Sequence, residues 1–201
     1  MPLDLFLALT VFACVMAFTP GPNNIMLAAS GVNFGFAHSI PHMAGVTIGF
    51  AVLVAVCGAG LGLMFAAVPS LHLLLKVAGA LYMLWLAFKV ATAHAGGEGG
   101  RGAARPFTFL QAAAFQWVNP KAVVAALSAI ALYVRPGHVG SDFPALLAVL
   151  TVCTVGSAAT WTGFGVALRR LLRNPRHARI FNICMALLLV ASILPMLGSA
   201  A

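Results

Sequence analysis

Acidic side chains are almost missing from this chain: 201 residues hold three, Asp4, Glu98 and Asp142, all in loops or at the ends of apolar runs. Without carboxylates inside those runs, the sequence argues against a cage for a divalent cation. Charge of either sign is scarce at 7%, against roughly 25% in soluble domains, while 62% of residues are hydrophobic and the mean hydropathy is +1.04. A soluble globule is excluded and an integral membrane protein predicted. Cysteine pairs are lacking too. Cys14, Cys57, Cys153 and Cys184 are dispersed through apolar runs without a C-x-x-C, which reads as isolated buried thiols. Of the six histidines only His38 and His42 have ligand-like spacing, and no acid or cysteine accompanies them, so they read as interfacial imidazoles and neither metal nor cofactor is expected. Met1-Pro2-Leu3-Asp4 lacks a positive leader, and the first apolar run is expected to be retained.

What is present is apolar helix, interrupted twice. A span takes about 20 residues, so the length admits six transmembrane helices and little else. The first, Leu3 to Val32, contains Thr19-Pro20-Gly21-Pro22-Asn23-Asn24 at its middle. Pro20 and Pro22 lack an N–H and free the carbonyls of Met16 and Phe18, while Asn23 and Asn24 are good N-cap residues for a second half-helix. One proline is an ordinary packing kink; Pro-x-Pro followed by two asparagines asks for more. The fourth span, Phe107 to Val134, repeats the oddity at Gln116-Trp117-Val118-Asn119-Pro120-Lys121. Broken helices survive in a bilayer only where they are buried in protein or line a cavity.

Spans two (Met43 to Val68), three (Leu71 to Phe88), five (Phe143 to Leu168) and six (Ile180 to Leu197) are unbroken. Gly45-x-x-x-Gly49 in span two reads as close helix packing, and Tyr82, Trp85 and Lys89 as interfacial anchors. The glycine-rich stretch 95–105 divides the chain into two three-span halves, 1–94 and 106–201, with Ala114-Phe115 laid on Ala17-Phe18 in register. An odd number of spans per half makes the repeats inverted. The expected fold is therefore a single all-α membrane domain of two inverted three-helix repeats, spans one and four broken at proline motifs. Paired breaks in such repeats point to a midplane site in secondary transporters. Eight Lys and Arg (Lys89, Arg101, Arg105, Arg169, Arg170, Arg173, Arg176, Arg179) share one face against Arg135 and Lys76 on the other. That asymmetry predicts a cytoplasmic Arg-rich side with both termini outside, and accounts for the +8 net charge by topology instead of a nucleic-acid partner.

Lys121 sits about 21 Å into span four at ~1.5 Å per residue, near the bilayer centre. A lysine there costs at least ~2.5 kcal/mol and is too deep to snorkel out. With no acid in the spans, its counter-charge is expected to arrive with the ligand. A carboxylate would satisfy Lys121 and the helix N-termini beside Asn23 and Lys121. Freed carbonyls and the amides of Asn24 and Asn119 would accept from an ammonium. Pro20, Gly21, Pro22, Asn23, Asn24, Gln116, Asn119, Pro120 and Lys121 thus outline a site for an α-amino acid zwitterion.

These motifs, with Gly45-Val-Thr-Ile-Gly49-Phe50 and Gly79-Ala-Leu-Tyr82-Met-Leu-Trp85-Leu-Ala-Phe-Lys89, resemble those of the LysE/RhtB family of bacterial amino-acid exporters along nearly the whole chain. Asn23-Asn24, Asn33-Phe34-Gly35-Phe36 and Asn182-Ile183 look most similar to the branch that exports cysteine and O-acetylserine. The resemblance implies a six-span exporter in the cytoplasmic (inner) membrane, not an enzyme, driven by the proton gradient. A cationic substrate would lack a carboxylate and meet Lys121, so small neutral amino acids are expected. Proton coupling would run through Lys121, a histidine or the substrate. A homo-oligomer is left open. Two rivals share the architecture: a thiol or electron-shuttling membrane protein, which needs reactive cysteines at both breaks whereas span four has none, and a divalent-cation exporter, which lacks ligands.

Overall fold

The computed structural model describes residues 1–61, 106–169 and 174–191, with isolated positions between 77 and 92. Outside the described residues lie the stretch 95–105, Tyr82 and Lys89 of the third span, Lys76, Arg101, Arg105, Arg170 and Arg173, and the end of span six. The described residues are all helical, in seven α-helices with no strand: α1 (Leu3–Phe18), α2 (Pro22–Phe34), α3 (Ile40–Val56), α4 (Phe109–Val118), α5 (Pro120–Tyr133), α6 (Val139–Leu168) and α7 (Pro175–Ala191).

Both interruptions are real breaks. Thr19 precedes Pro20 and takes the extended conformation that a following proline favours (φ −61°, ψ 136°), ending α1 with Thr19 N donating to Val15 O at 3.1 Å. Pro22 then opens α2 at its first position, where a missing N–H is harmless, and α1 and α2 meet at 54°. Asn119 plays the part of Thr19 before Pro120 (φ −84°, ψ 107°), and α4 and α5 meet at 67°. A Thr-x-x-Gln capping box starts α4, Gln111 N donating to Thr108 Oγ1 and Thr108 N to Gln111 Oε1.

Among the described residues two helices are long and apolar enough to cross a membrane, Ala37–Gly60 and Val139–Leu168, or four spans if each bent pair counts as one. Their outward faces carry Leu7, Val11, Val15, Val152 and Val155, all exposed, the surface of a protein solvated by lipid.

The most extensive packing runs along two seams. Where α2 meets α6, a Cβ on Gly31 would lie 2.2 Å from Thr162 O and one on Gly165 2.0 Å from Ala28 O. At the α3–α4 seam a Cβ on Gly45 would lie 2.4 Å from Phe109 O and one on Gly49 2.5 Å from Ala113 Cα. The packing role expected of Gly45 and Gly49 is thus seen, backbone against backbone. At the other end of the bundle, Leu9, Leu53, Ala126, Ala129 and Leu146 are fully buried in the largest apolar cluster.

Three expectations need correcting. Asp142 is no loop acid: α6 begins four residues before the predicted Phe143, which puts Asp142 in its first turn, fully buried and gripped by Arg135 Nε at 2.8 Å and Nη2 at 3.1 Å. That bond holds the Arg135 guanidinium above its ordinary pKa. The cysteines are not isolated buried thiols either, since Cys14 is exposed and its sulfur lies 3.7 Å from that of Cys153 on α6. Last, the two imidazoles part company, His38 exposed on a 3-10 turn (Ala37–Ser39) and His42 buried among helices.

Candidate functional site

The two breaks face one another, and their side chains tie them together. Asn23 Nδ2 donates to Gln116 Oε1 at 2.8 Å while Gln116 Nε2 donates back to Asn23 Oδ1 at 3.2 Å and to Ala112 O at 2.8 Å. Gln116 is fully buried, and this reciprocal pair meets its hydrogen-bonding needs. Lys121 reaches across from α5 and gives Nζ–H to Thr19 O at 2.6 Å.

Gly21 is extended (φ −167°, ψ 177°), a conformation open to any residue, so its backbone does not require glycine. Space does. A Cβ there would stand 2.8 Å from Lys121 Cδ and 3.1 Å from Nζ, so the glycine in the first break is the slot through which the lysine of the second passes.

Asn23 and Asn24 are not N-caps, as their amide type suggested. Gly21 caps α2, no side chain closes it, and the asparagines occupy the next turn. Asn24 reaches backward, Nδ2 donating to Ala17 O at 2.7 Å and Thr19 O at 2.9 Å, which satisfies carbonyls stranded at the end of α1. The engaged carbonyls are thus Ala17 and Thr19 in place of the expected Met16 and Phe18, because the chain is already extended at Thr19. In the second break Asn119 is the cap, its Oδ1 accepting from Lys121 N at 3.2 Å.

A pocket of about 610 Å³, counted out to its open mouth, lies where the breaks meet. Gly21, Asn23, Asn24, Gln116, Asn119 and Lys121 line it; Pro20, Pro22 and Pro120 shape the backbone without reaching it. Sequence reasoning missed the wall from α6. There Ser157 Oγ donates to Ala17 O at 2.6 Å and reaches Asn24 Oδ1 at 3.4 Å, and Thr154 lies one turn away on the same face. Met16 and Phe50 supply apolar surface. A hydroxyl in a helix is too common to stand out, and only the fold shows which of them faces the breaks. Chemically the described lining offers one ammonium with donors to spare, amide oxygens, hydroxyls and no carboxylate. Among the described residues no group of three His, Cys, Asp or Glu side chains gathers to hold a metal.

The sequence profile of the family described as LysE type translocator matches residues 14–193. Proteins named cysteine/O-acetylserine efflux protein, from Escherichia coli (strain K12) and Shigella sonnei (strain Ss046), are 34% identical over 186 residues, covering 91% of this chain and 92% of theirs. The protein of the same name from Escherichia coli O6:K15:H31 (strain 536 / UPEC) is 33% identical over the same length. No solved structure matches.

Proposed function

The chain belongs to the LysE family of translocators, transporters and not enzymes, and from that premise we propose an exporter of small neutral amino acids that binds the substrate zwitterion between its two broken helices. One observation carries the reading: among the described residues that line the pocket, Lys121 is the sole cation and none is an acid. Its Nζ gives one hydrogen bond to a neutral carbonyl and has two more N–H bonds to offer, so a substrate carboxylate is the partner that the site lacks. The uncapped start of α2 adds a positive dipole end on the same side. The amide oxygens of Asn23 and Gln116, each accepting one hydrogen bond and able to accept a second, offer acceptors to the substrate ammonium. Ala17, Ala122, Ala125 and Ala158 around them leave space for a short side chain, and the Ser157 and Thr154 hydroxyls suit a polar one.

The same reading takes the whole chain as one domain of two inverted three-span repeats, 1–94 and 106–201. In support, span one packs on span five through α2 and α6, and span four packs on span two through α4 and α3, as exchange of the repeats requires. Export across the bacterial inner membrane is driven by proton entry. The Arg169, Arg176 and Arg179 end faces the cytoplasm and Arg135 the outside. A reporter fused after Ala201 is expected to be active only if it functions outside the cytoplasm; cytoplasmic activity would reverse the orientation.

Cysteine and O-acetylserine, which name the relatives' cargo, are the first substrates to try. Proteoliposomes loaded with labelled neutral amino acids should release them when the opposite side is acidified, and unlabelled neutral analogues should compete. If lysine or arginine displaces the label better than the neutral set does, the pocket chemistry argued above is wrong.

A further inference from the structure

On the inner side of the pocket floor two buried polar groups have no hydrogen-bond partner among the described residues. The floor consists of Leu27, Val46 and Ala158, which line the pocket and pack with Ala112 into one apolar cluster flanked by Met43, Phe107 and Trp161. One turn from Val46 on the same face of α3 is His42, 1% exposed, with neither ring nitrogen hydrogen-bonded and its ring 5.3 Å from that of Phe107. One turn from Ala158 on the same face of α6 is Thr162, fully buried with its hydroxyl unpaired. That is unusual within this very helix. Thr151, Thr154 and Thr160 each donate to the carbonyl four residues back at 2.7–2.8 Å, and Thr162 does not. Buried polar groups are nearly always paired, and an orphaned imidazole and an orphaned hydroxyl, each one turn from the same apolar floor, call for a ligand of their own.

We propose that His42, with Thr162 one turn from the same floor on α6, is the binding site for the proton that is exchanged for substrate, holding it midway between the pocket and the cytoplasmic face. The proposal rests on the proton-driven export described above. The proton comes from hydronium on the outer side by way of the pocket, an O–H bond breaking as the N–H bond forms at a free ring nitrogen, and it leaves to cytoplasmic water by the reverse exchange when the inner half opens. Among the described residues other carriers are ruled out by position or by duty. Asp4 and Asp142 belong to the outer end of the bundle, and Lys121 has to stay charged to hold a carboxylate. Imidazole is the side chain whose ordinary titration falls in the physiological range.

Charges around this point are few. α2 and α4 hold no ionisable side chain, and α6 holds only Asp142 and Cys153, both on the outer side of Ser157, before Arg169 at its end. Arg169 Nη1 lies 3.5 Å from where a Gly35 Cβ would stand. Asp4 and Cys14 of α1 and Lys121 and Tyr133 of α5 stand at or beyond the pocket. His38 is exposed, and α7, packed on α2, begins with Arg176, His177 and Arg179.

The test uses proteoliposomes that report internal pH, with the wild type, His42→Gln and Thr162→Val. The wild type should move protons when substrate crosses. His42→Gln should lose proton movement and uphill export by about a hundredfold, the scale of a positioned proton-transfer group, while it still exchanges labelled for unlabelled substrate at equal pH. Thr162→Val should weaken coupling less and likewise spare exchange. His42→Asn, smaller and equally unable to carry the proton, gives the same reading if glutamine packs badly. Wild-type proton movement in the His42 variants overturns the proposal, and so does loss of exchange together with uphill export in a folded variant. A wild type that exports without moving protons fails the proton-driven reading itself, whatever the variants do.

Discussion

Lys121→Met is expected to insert and fold normally and to lose export. Insertion becomes easier because a lysine at the bilayer centre costs at least ~2.5 kcal/mol that methionine does not. Folding loses a single hydrogen bond, from Nζ to Thr19 O, and Asn24 still donates to that carbonyl. Transport loses more, since a carboxylate brought into the pocket would find no cation there. Leaving a buried charge unpaired costs about 3–5 kcal/mol, which corresponds to a loss of roughly a hundredfold or more in transport at a given substrate concentration. Uptake-free export from preloaded vesicles, measured beside the amount of protein in the membrane, separates the two effects. Near-normal export by this variant would make Lys121 a tolerated structural residue and remove the central support for the zwitterion site.

Gly165→Val should have the opposite profile, destroying the fold before function can be asked about. Its Cβ would stand 2.0 Å from Ala28 O and 3.0 Å from Val32 N, and these are backbone atoms that cannot swing aside. α2 would have to leave α6, giving up the seam that Gly31 makes from the other side. Overpacking of this kind costs about 3 kcal/mol or more when the backbone itself has to shift. Gly163→Val, two residues away on the same helix, provides the control, because nothing lies within 4 Å of its Cβ position. Thermal unfolding in detergent should show a large drop for Gly165→Val and little change for Gly163→Val. Equal midpoints would mean that α2 and α6 do not approach as described.

The parts of this architecture legible in the sequence are those whose cause is local. Proline removes a donor wherever it stands, so Pro20, Pro22 and Pro120 announced both breaks, and Lys121 announced a need for charge by its depth alone. Side-chain duties were not legible in the same way, because they depend on what stands opposite. Asn24 suggested a cap and instead closes the previous helix, and Gly21 makes room for a lysine from the other half of the chain. Ser157 and Thr154 were invisible for want of contrast with other helical hydroxyls. Cys153 likewise gave no sign that it would lie beside Cys14, which gives the thiol reading the cysteine pair that span four withheld. The pair is joined from spans one and five and bridges no second break, and the family assignment makes the protein a translocator.

The bond from Lys121 to Thr19 bears on how hard the protein holds its cargo. An empty pocket with an unsatisfied ammonium would grip any carboxylate tightly, but here the ammonium is parked on a carbonyl of its own chain. In the proposed zwitterion site an arriving carboxylate would share the ammonium with that internal acceptor, and only what the remaining N–H bonds add would appear as affinity. On that proposal binding would be weak at the cytoplasmic concentrations a cell needs to keep, with loading only when the pool swells. Such a protein would work as an overflow valve, its opening threshold set by one lysine and the carbonyl it rests on.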